Sequence, residues 1–103
     1  MTETICHSGP LWRWQTAKGS WFFLTVDAKA GDALKSTALM RKLETGRARG
    51  FGSLKVEARL GSSLWRTSVF PDKARGYLLP VKVAIRKAEG LHEGDVVRVQ
   101  LTL

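Results

Sequence analysis

A chain of 103 residues can bury the core of one domain, and its 44% hydrophobic and 25% charged residues are typical of a globular protein. No apolar run approaches the roughly 20 residues of a membrane-spanning helix, and residues 1–10 lack a signal-peptide core. A single cysteine, Cys6, excludes an internal disulfide, so we expect a cytoplasmic protein that contacts no membrane. The net charge of +8, from 17 Lys and Arg against 9 Asp and Glu, favours anionic partners.

The first ten residues are predicted to form a flexible polar leader, ahead of a single domain over residues 11–103. Within the leader, the side chains of Cys6 and His7 are both capable of binding a metal. A zinc site needs four ligands, and the only other histidine is His92. We therefore expect no metal site and interpret the pair as part of an exposed tail.

Two aromatic-rich stretches, Leu11–Thr16 and Trp21–Val26, predict the first pair of strands, joined by a turn over residues 17–20. Exposed rings of this kind can form a platform on which nucleic-acid bases stack. A small barrel, however, must fill its core from few positions, and large rings do so efficiently. We therefore interpret these aromatic residues as core, with Trp12 or Trp21 as the expected exception.

Residues 29–44 are rich in helix-forming residues and predict a longer helix, which Asp27 can cap and which ends near Gly46. The apolar residues of this helix are spread over a broad face; they are Leu34, Ala38, Leu39, Met40 and Leu43.

A glycine-rich basic loop follows over Gly46–Gly52 and contains Arg47 and Arg49. Glycine allows the backbone to approach an anion closely, and each arginine offers paired donors. From Arg49 onward the loop resembles the opening of the RNP1 motif of RNA-recognition domains. The match stops at Ser53 and Val56, where that motif has aromatic residues. We interpret the segment as a basic loop that leads into a strand.

A second hairpin is predicted from residues 52–60 and 64–70, which alternate between apolar and polar side chains on either side of a Gly-Ser-Ser turn. On the second of these strands, one face carries Trp65, Thr67 and Val69. The opposite face carries Arg66 and Ser68.

The last quarter of the chain predicts a short strand, a short helix near residues 81–89 and a closing strand. Pro80 is tolerated at a helix start because its missing N–H would be unpaired there. A stripe at i, i+3, i+4 and i+7 consists of Val81, Ala84, Ile85 and Ala88. Gly90 supplies the left-handed residue that ends helices. The alternating aliphatic residues of the closing strand are Val97, Val99, Leu101 and Leu103.

Five motifs follow one another along the chain: Gly50-Phe-Gly52, Trp65-Arg-Thr-Ser-Val-Phe-Pro71, Tyr77-Leu-Leu-Pro-Val-Lys82, Arg86-Lys87 and Gly94-Asp95. Their order is similar to that in DUF1905, a family of domains of unknown function. The chain from Leu11 to Leu103 therefore resembles this family. The resemblance implies a small closed β-barrel, with one longer helix between early strands and one short helix near the end. It implies no chemistry.

Residues 79–99 also resemble the unit that is repeated in AbrB and MraZ-type DNA-binding proteins. Those proteins build a barrel from two swapped copies of the unit, whereas this chain has enough strands to close a barrel alone. The resemblance is architectural, and it supports nucleic-acid binding only by analogy of fold.

Together these observations predict a mainly β fold with two helices (α+β), in which a small closed barrel has about six strands. No carboxylate lies near a histidine or a second carboxylate at a spacing typical of acid–base catalysis, so we expect no catalytic residue and no cofactor. We interpret the chain as a non-catalytic binding module, monomeric or weakly dimeric, for an anion or a protein. The alternatives are an enzyme with an unrecognised site and a nucleic-acid-binding module whose basic face consists of Arg47, Arg49, Arg66, Lys82, Arg86 and Lys87.

Overall fold

A computed structural model describes residues 3–45 and 53–103 of the chain. Its strands are β1 (Thr4–Thr16), β2 (Gly19–Val26), β3 (Leu54–Leu60), β4 (Ser63–Asp72), β5 (Gly76–Pro80) and β6 (Val96–Thr102). Helix α1 (Ala28–Thr45) follows β2, and helix α2 (Val83–Glu89) follows β5. The antiparallel strands close into a barrel in the order β1-β2-β5-β4-β3-β6. The predicted fold class, strand number and helix positions are confirmed.

The barrel interior is filled mainly by aliphatic side chains, because inward-facing residues alternate with outward-facing ones along each strand. On β3 the buried residues are Leu54, Val56, Ala58 and Leu60, as the sequence predicts. Leu24 of β2 and Leu101 of β6 are completely buried in the same core. Neither helix in the described part of the chain has the length and apolarity needed to cross a membrane.

The prediction of a flexible leader over residues 1–10 is wrong for the part that the structure describes. Residues 4–10 are the first half of β1 and pair with β6, from Thr4 opposite Thr102 to Pro10 opposite Val96. The second half of β1 pairs with β2 instead. The leader has only one aliphatic side chain, Ile5, which is buried in the core. The strand could not be recognised from the sequence, because the next two inward positions are occupied by His7 and Gly9 and not by aliphatic residues.

The barrel strands separate at one end because β5 is short. β5 has five residues, whereas β2 has eight and β4 has ten. It pairs with β2 only from Phe23 onward and with β4 only from Phe70 onward. Over the described residues, the earlier parts of β2 and β4 therefore have no strand between them. Helix α2 lies at this gap, with Ile85 buried in the core.

Helix α2 starts two residues later than predicted and buries half of the predicted stripe. Pro80 ends β5, and Lys82, in an extended conformation, precedes the helix. Val81 and Ile85 are buried, but the other two members of the stripe, Ala84 and Ala88, are exposed. The difference arises because α2 lies at the edge of the barrel gap, so only a narrow face of the helix contacts the core.

The end of α2 is held by its backbone and by one carboxylate. Gly90 has φ +64, and the next residue, Leu91, donates from its N–H to the carbonyl of Arg86 at 2.9 Å. The carboxylate of Glu89 accepts a hydrogen bond of 2.6 Å from the hydroxyl of Ser63, which is the first residue of β4. This contact ties the helix to the β3–β4 turn.

We predict that Ile85→Ala lowers the free energy of unfolding by about 2–5 kcal/mol, the range for emptying a buried aliphatic site. The matched control is Val83→Ala on the same helix. Val83 is exposed, so its truncation should change stability by less than about 0.5 kcal/mol. Urea unfolding of the two variants measures the difference, and equal small losses would mean that α2 does not seal the core.

We predict that removal of Val99–Leu103 abolishes cooperative thermal unfolding. β6 pairs with both β1 and β3, so its loss leaves two open edges and exposes the core. Calorimetry checks this outcome. A truncated chain that melts in one sharp transition, with the unfolding enthalpy of the whole chain, would contradict the closed barrel.

Candidate functional site

A groove opens at the barrel gap, bounded by β2, β4 and the start of α2, and encloses about 410 Å³. We call it the basic groove. Its cations are Arg66 from β4 and Lys82 and Arg86 from the β5–α2 unit. Its aromatic walls are Trp21 and Phe22 from β2 and Trp65 from β4. Among the described residues that line the groove, none carries a carboxylate.

Arg66 extends into solvent at the outer rim of the basic groove. Its position on the outward face of β4 is the one predicted from the alternation of that strand. Its side chain is 89% exposed, and its Nε lies 3.8 Å from Oε2 of Glu57 on the neighbouring strand. An exposed ion pair of this length contributes about 0–1 kcal/mol to stability. The contact therefore holds the Arg66 guanidinium only weakly.

Arg86 is held against the wall of the basic groove. The central carbon of its guanidinium lies 3.8 Å from the centre of the Phe22 ring, a cation–π contact between α2 and β2. Its Nε also donates to the carbonyl oxygen of Val81 at 3.2 Å. The side chain is half-buried. These contacts hold the guanidinium of Arg86 in a fixed position.

The structure brings together three of the six basic residues proposed from the sequence. Lys82 is exposed in the extended segment before α2 and lines the basic groove with Arg66 and Arg86. Lys87 is exposed on α2 beside Arg86 but does not line the groove. The remaining two, Arg47 and Arg49, lie outside the described residues.

Four of the five aromatic residues of the first hairpin lie outside the barrel, so the prediction that these rings are core, with Trp12 or Trp21 as the exception, is wrong for most of them. Phe22, on the inward face, packs against the core. Because Leu11 and Leu24 pair and point inward, the alternate positions face outward. These positions form an outer surface that we call the aromatic strip, which consists of Trp12, Trp14, Trp21 and Phe23. In this part of the chain, the fully buried positions are aliphatic.

Rings within the aromatic strip contact one another across the two strands. The ring centres of Trp12 and Phe23 are 5.2 Å apart, and those of Trp14 and Trp21 are 5.9 Å apart. The rings of both pairs are tilted, by 37° and 43°. Trp14 is 55% exposed and Trp21 is 46% exposed. Both predicted exceptions, Trp12 and Trp21, therefore belong to the strip, together with two rings that the sequence did not single out.

Trp12 is fixed at the far end of the aromatic strip. Its indole N–H donates to the hydroxyl of Thr25 at 2.8 Å. The guanidinium carbon of Arg75, from the β4–β5 turn, lies 4.9 Å from the centre of its ring. A positive charge therefore stands at this end of the strip, while the cations of the basic groove stand near the end formed by Trp21.

A second cleft lies between the start of α1 and the β4–β5 turn, and its charges balance. Three carboxylates line it together with three cations; they are Asp27, Asp32, Asp72, Lys35, Lys73 and Arg75. Burial raises the pKa of the Tyr77 phenol at its base above the ordinary value of 10.0. This balance distinguishes the cleft from the basic groove, in which the charged residues of the described lining are all positive.

The family model described as Domain of unknown function (DUF1905) matches residues 8–101 of the chain. No curated protein matches this sequence.

We predict that Arg86→Ala lowers the free energy of unfolding by about 1–2 kcal/mol, because it removes a cation–π contact and a charged hydrogen bond. Arg66→Ala is the matched control and should change the free energy by less than about 0.5 kcal/mol, because that side chain is exposed. Urea unfolding of the two variants provides the comparison. If both losses are equally small, Arg86 is not anchored on Phe22.

Proposed function

We propose that this chain, which belongs to the DUF1905 family, is a non-catalytic module that binds an anionic ligand in the basic groove. One observation carries the proposal. Cations from separate elements, Arg66 on β4 and Lys82 and Arg86 at α2, line one groove in which the described lining residues carry no carboxylate. Like charges repel, so an arrangement of this kind is stabilised when an anion occupies it.

The walls of the basic groove strengthen its attraction for an anion. Trp65 and Phe22 are aromatic and wholly or partly buried, so one side of the groove has a lower dielectric than water. Charges at such a surface interact more strongly than charges in free solvent, and the groove concentrates their field. Arginine also offers planar paired donors that suit phosphate and carboxylate oxygens.

The two arginines have complementary parts in this proposal. Arg86, anchored on Phe22, holds its charge at a fixed point and loses little side-chain entropy when the ligand binds. Arg66, largely exposed, adjusts to the shape of the ligand. We propose binding rather than catalysis because cations and rings hold an anion in place, whereas acid–base catalysis needs a group that titrates near the working pH.

The proposal predicts that inorganic polyphosphate binds the chain and that Arg66→Ala combined with Lys82→Ala weakens this binding at least about tenfold. A tenfold weakening is expected because the double variant loses two hydrogen bonds that charged side chains would make to the ligand. The matched control combines Lys29→Ala with Lys35→Ala, which removes the same charge from exposed positions on α1. Isothermal titration at several salt concentrations measures both effects.

Two outcomes would overturn the proposal. Equal losses in the two double variants would mean that polyphosphate responds only to the overall charge of +8. No detectable binding by the unaltered chain at low salt would mean that the groove does not take an anion. Amide shifts in the NMR spectrum, expected at Ser20, Trp21 and Lys82, locate the site independently.

A further inference from the structure

We infer that the anionic ligand is a single-stranded nucleic acid, whose phosphates lie in the basic groove and whose bases stack on the aromatic strip. The inference rests on the proposed function and adds the chemical class of the ligand. It depends on the aromatic strip, which the binding of a bare anion does not require.

Trp21 joins the two surfaces. Its side chain belongs to the aromatic strip, with its ring centre 5.9 Å from that of Trp14, and the same residue lines the basic groove. A ligand that reaches from Arg66 or Lys82 across Trp21 therefore meets Trp14 next. Phosphates and flat rings alternate along a nucleic-acid strand, so one strand can use both surfaces at once.

The exposure of the strip favours a ligand with flat apolar faces. Trp14 and Trp21 each leave about half of their surface in water, 55% and 46%. Large exposed apolar patches rimmed by charge mark binding surfaces more often than they mark simple packing. Cations stand at both ends of the strip. Arg75, which also forms an ion pair of 3.6 Å with Asp72, lies against Trp12, and the basic groove lies beside Trp21. This combination of ring faces and flanking cations is complementary to bases linked by phosphates.

A single strand fits better than a duplex or an acidic protein segment. In a duplex each base is covered above and below by its neighbours, so its face is not available to a tryptophan ring. An acidic segment of a protein supplies carboxylates for Lys82 and Arg86 but no flat faces for the strip. The strip should therefore discriminate among anions of equal charge.

Three labelled probes of nearly equal phosphate number, 11 in each 12-nucleotide strand and 10 in the duplex, test the inference by fluorescence polarisation. They are a 12-nucleotide oligothymidylate, a strand of the same length with abasic sites throughout, and a 6-base-pair duplex. The oligothymidylate should bind at least about fivefold more tightly than either of the others, because stacking of one base already gives this factor. The abasic strand keeps the phosphates and removes only the ring faces.

Variants assign the effect to the strip. Trp14→Ala should weaken oligothymidylate binding at least about fivefold and leave abasic-strand binding unchanged. Leu64→Ala is the matched control, because Leu64 is also a large exposed apolar residue but lies outside the strip. It should leave binding of both probes unchanged. Circular dichroism verifies that each variant is folded, and Trp14→Leu replaces Trp14→Ala if the latter unfolds.

The outcomes separate this inference from the proposed function. If oligothymidylate and the abasic strand bind equally well, and both depend on Arg66 and Lys82, the proposed function stands and the inference falls. If Trp14→Ala lowers stability but not oligothymidylate affinity, the rings serve only as cross-strand packing, and the inference again falls. If none of the three probes binds at low salt although polyphosphate does, the inference falls and the proposed function stands. If polyphosphate does not bind either, both fail.

Discussion

The shortness of β5 is the constraint on which the rest of the molecule depends. β5 pairs with β2 on one side and β4 on the other, but β2 and β4 both extend beyond this five-residue strand. The gap is closed there by a backbone hydrogen bond of 2.9 Å from the N–H of Val81 to the carbonyl of Phe22. Side chains complete the closure: Ile85 packs into the core, and the Glu89 carboxylate accepts a hydrogen bond from the hydroxyl of Ser63. The seal is therefore made by a helix, whose exposed side is available for polar residues. The hydrophobic core therefore ends at the barrel gap between β2 and β4, and the basic groove lies at the same gap.

Two side chains at the barrel gap, those of Arg86 and Phe22, belong both to the packing of the fold and to the groove that we propose binds an anion. Arg86 contacts Phe22 through its guanidinium and thereby joins α2 to β2, yet it also supplies one of the three charges of the groove. Phe22 packs against the core, and the guanidinium of Arg86 lies over its ring. If the groove binds an anion as proposed, a substitution of Arg86 or Phe22 should alter stability and affinity together, whereas a substitution of Arg66 should alter affinity alone. Experiments that probe this site need both quantities to be measured on each variant.

Local rules explain which parts of the fold could be predicted. Buried and outward-facing residues alternate along β3 and β6, so the inward positions of Leu54 and Leu101 follow from a period of two. The first hairpin is apolar on both faces, and its orientation depends on register instead. The turn has two residues between Thr16 and Gly19, which pairs Trp14 with Trp21 and sends both outward. The basic residues could be named from their charge, but their meeting in one groove depends on where β5 ends, which is a property of the assembled barrel.

The pairing of β1 with β6 has a consequence for the time course of folding. This contact sets Thr4 beside Thr102, so it joins positions separated by nearly the whole chain. Closing so large a loop costs entropy that no local contact offsets, and topologies dominated by such pairings fold slowly. On the ribosome, the first hairpin can form early, but the barrel cannot close until residue 102 has emerged. Until then β1 has an unpaired edge and the side chain of Ile5 is not covered by the core, and exposed surfaces of this kind are the ones on which chaperones act.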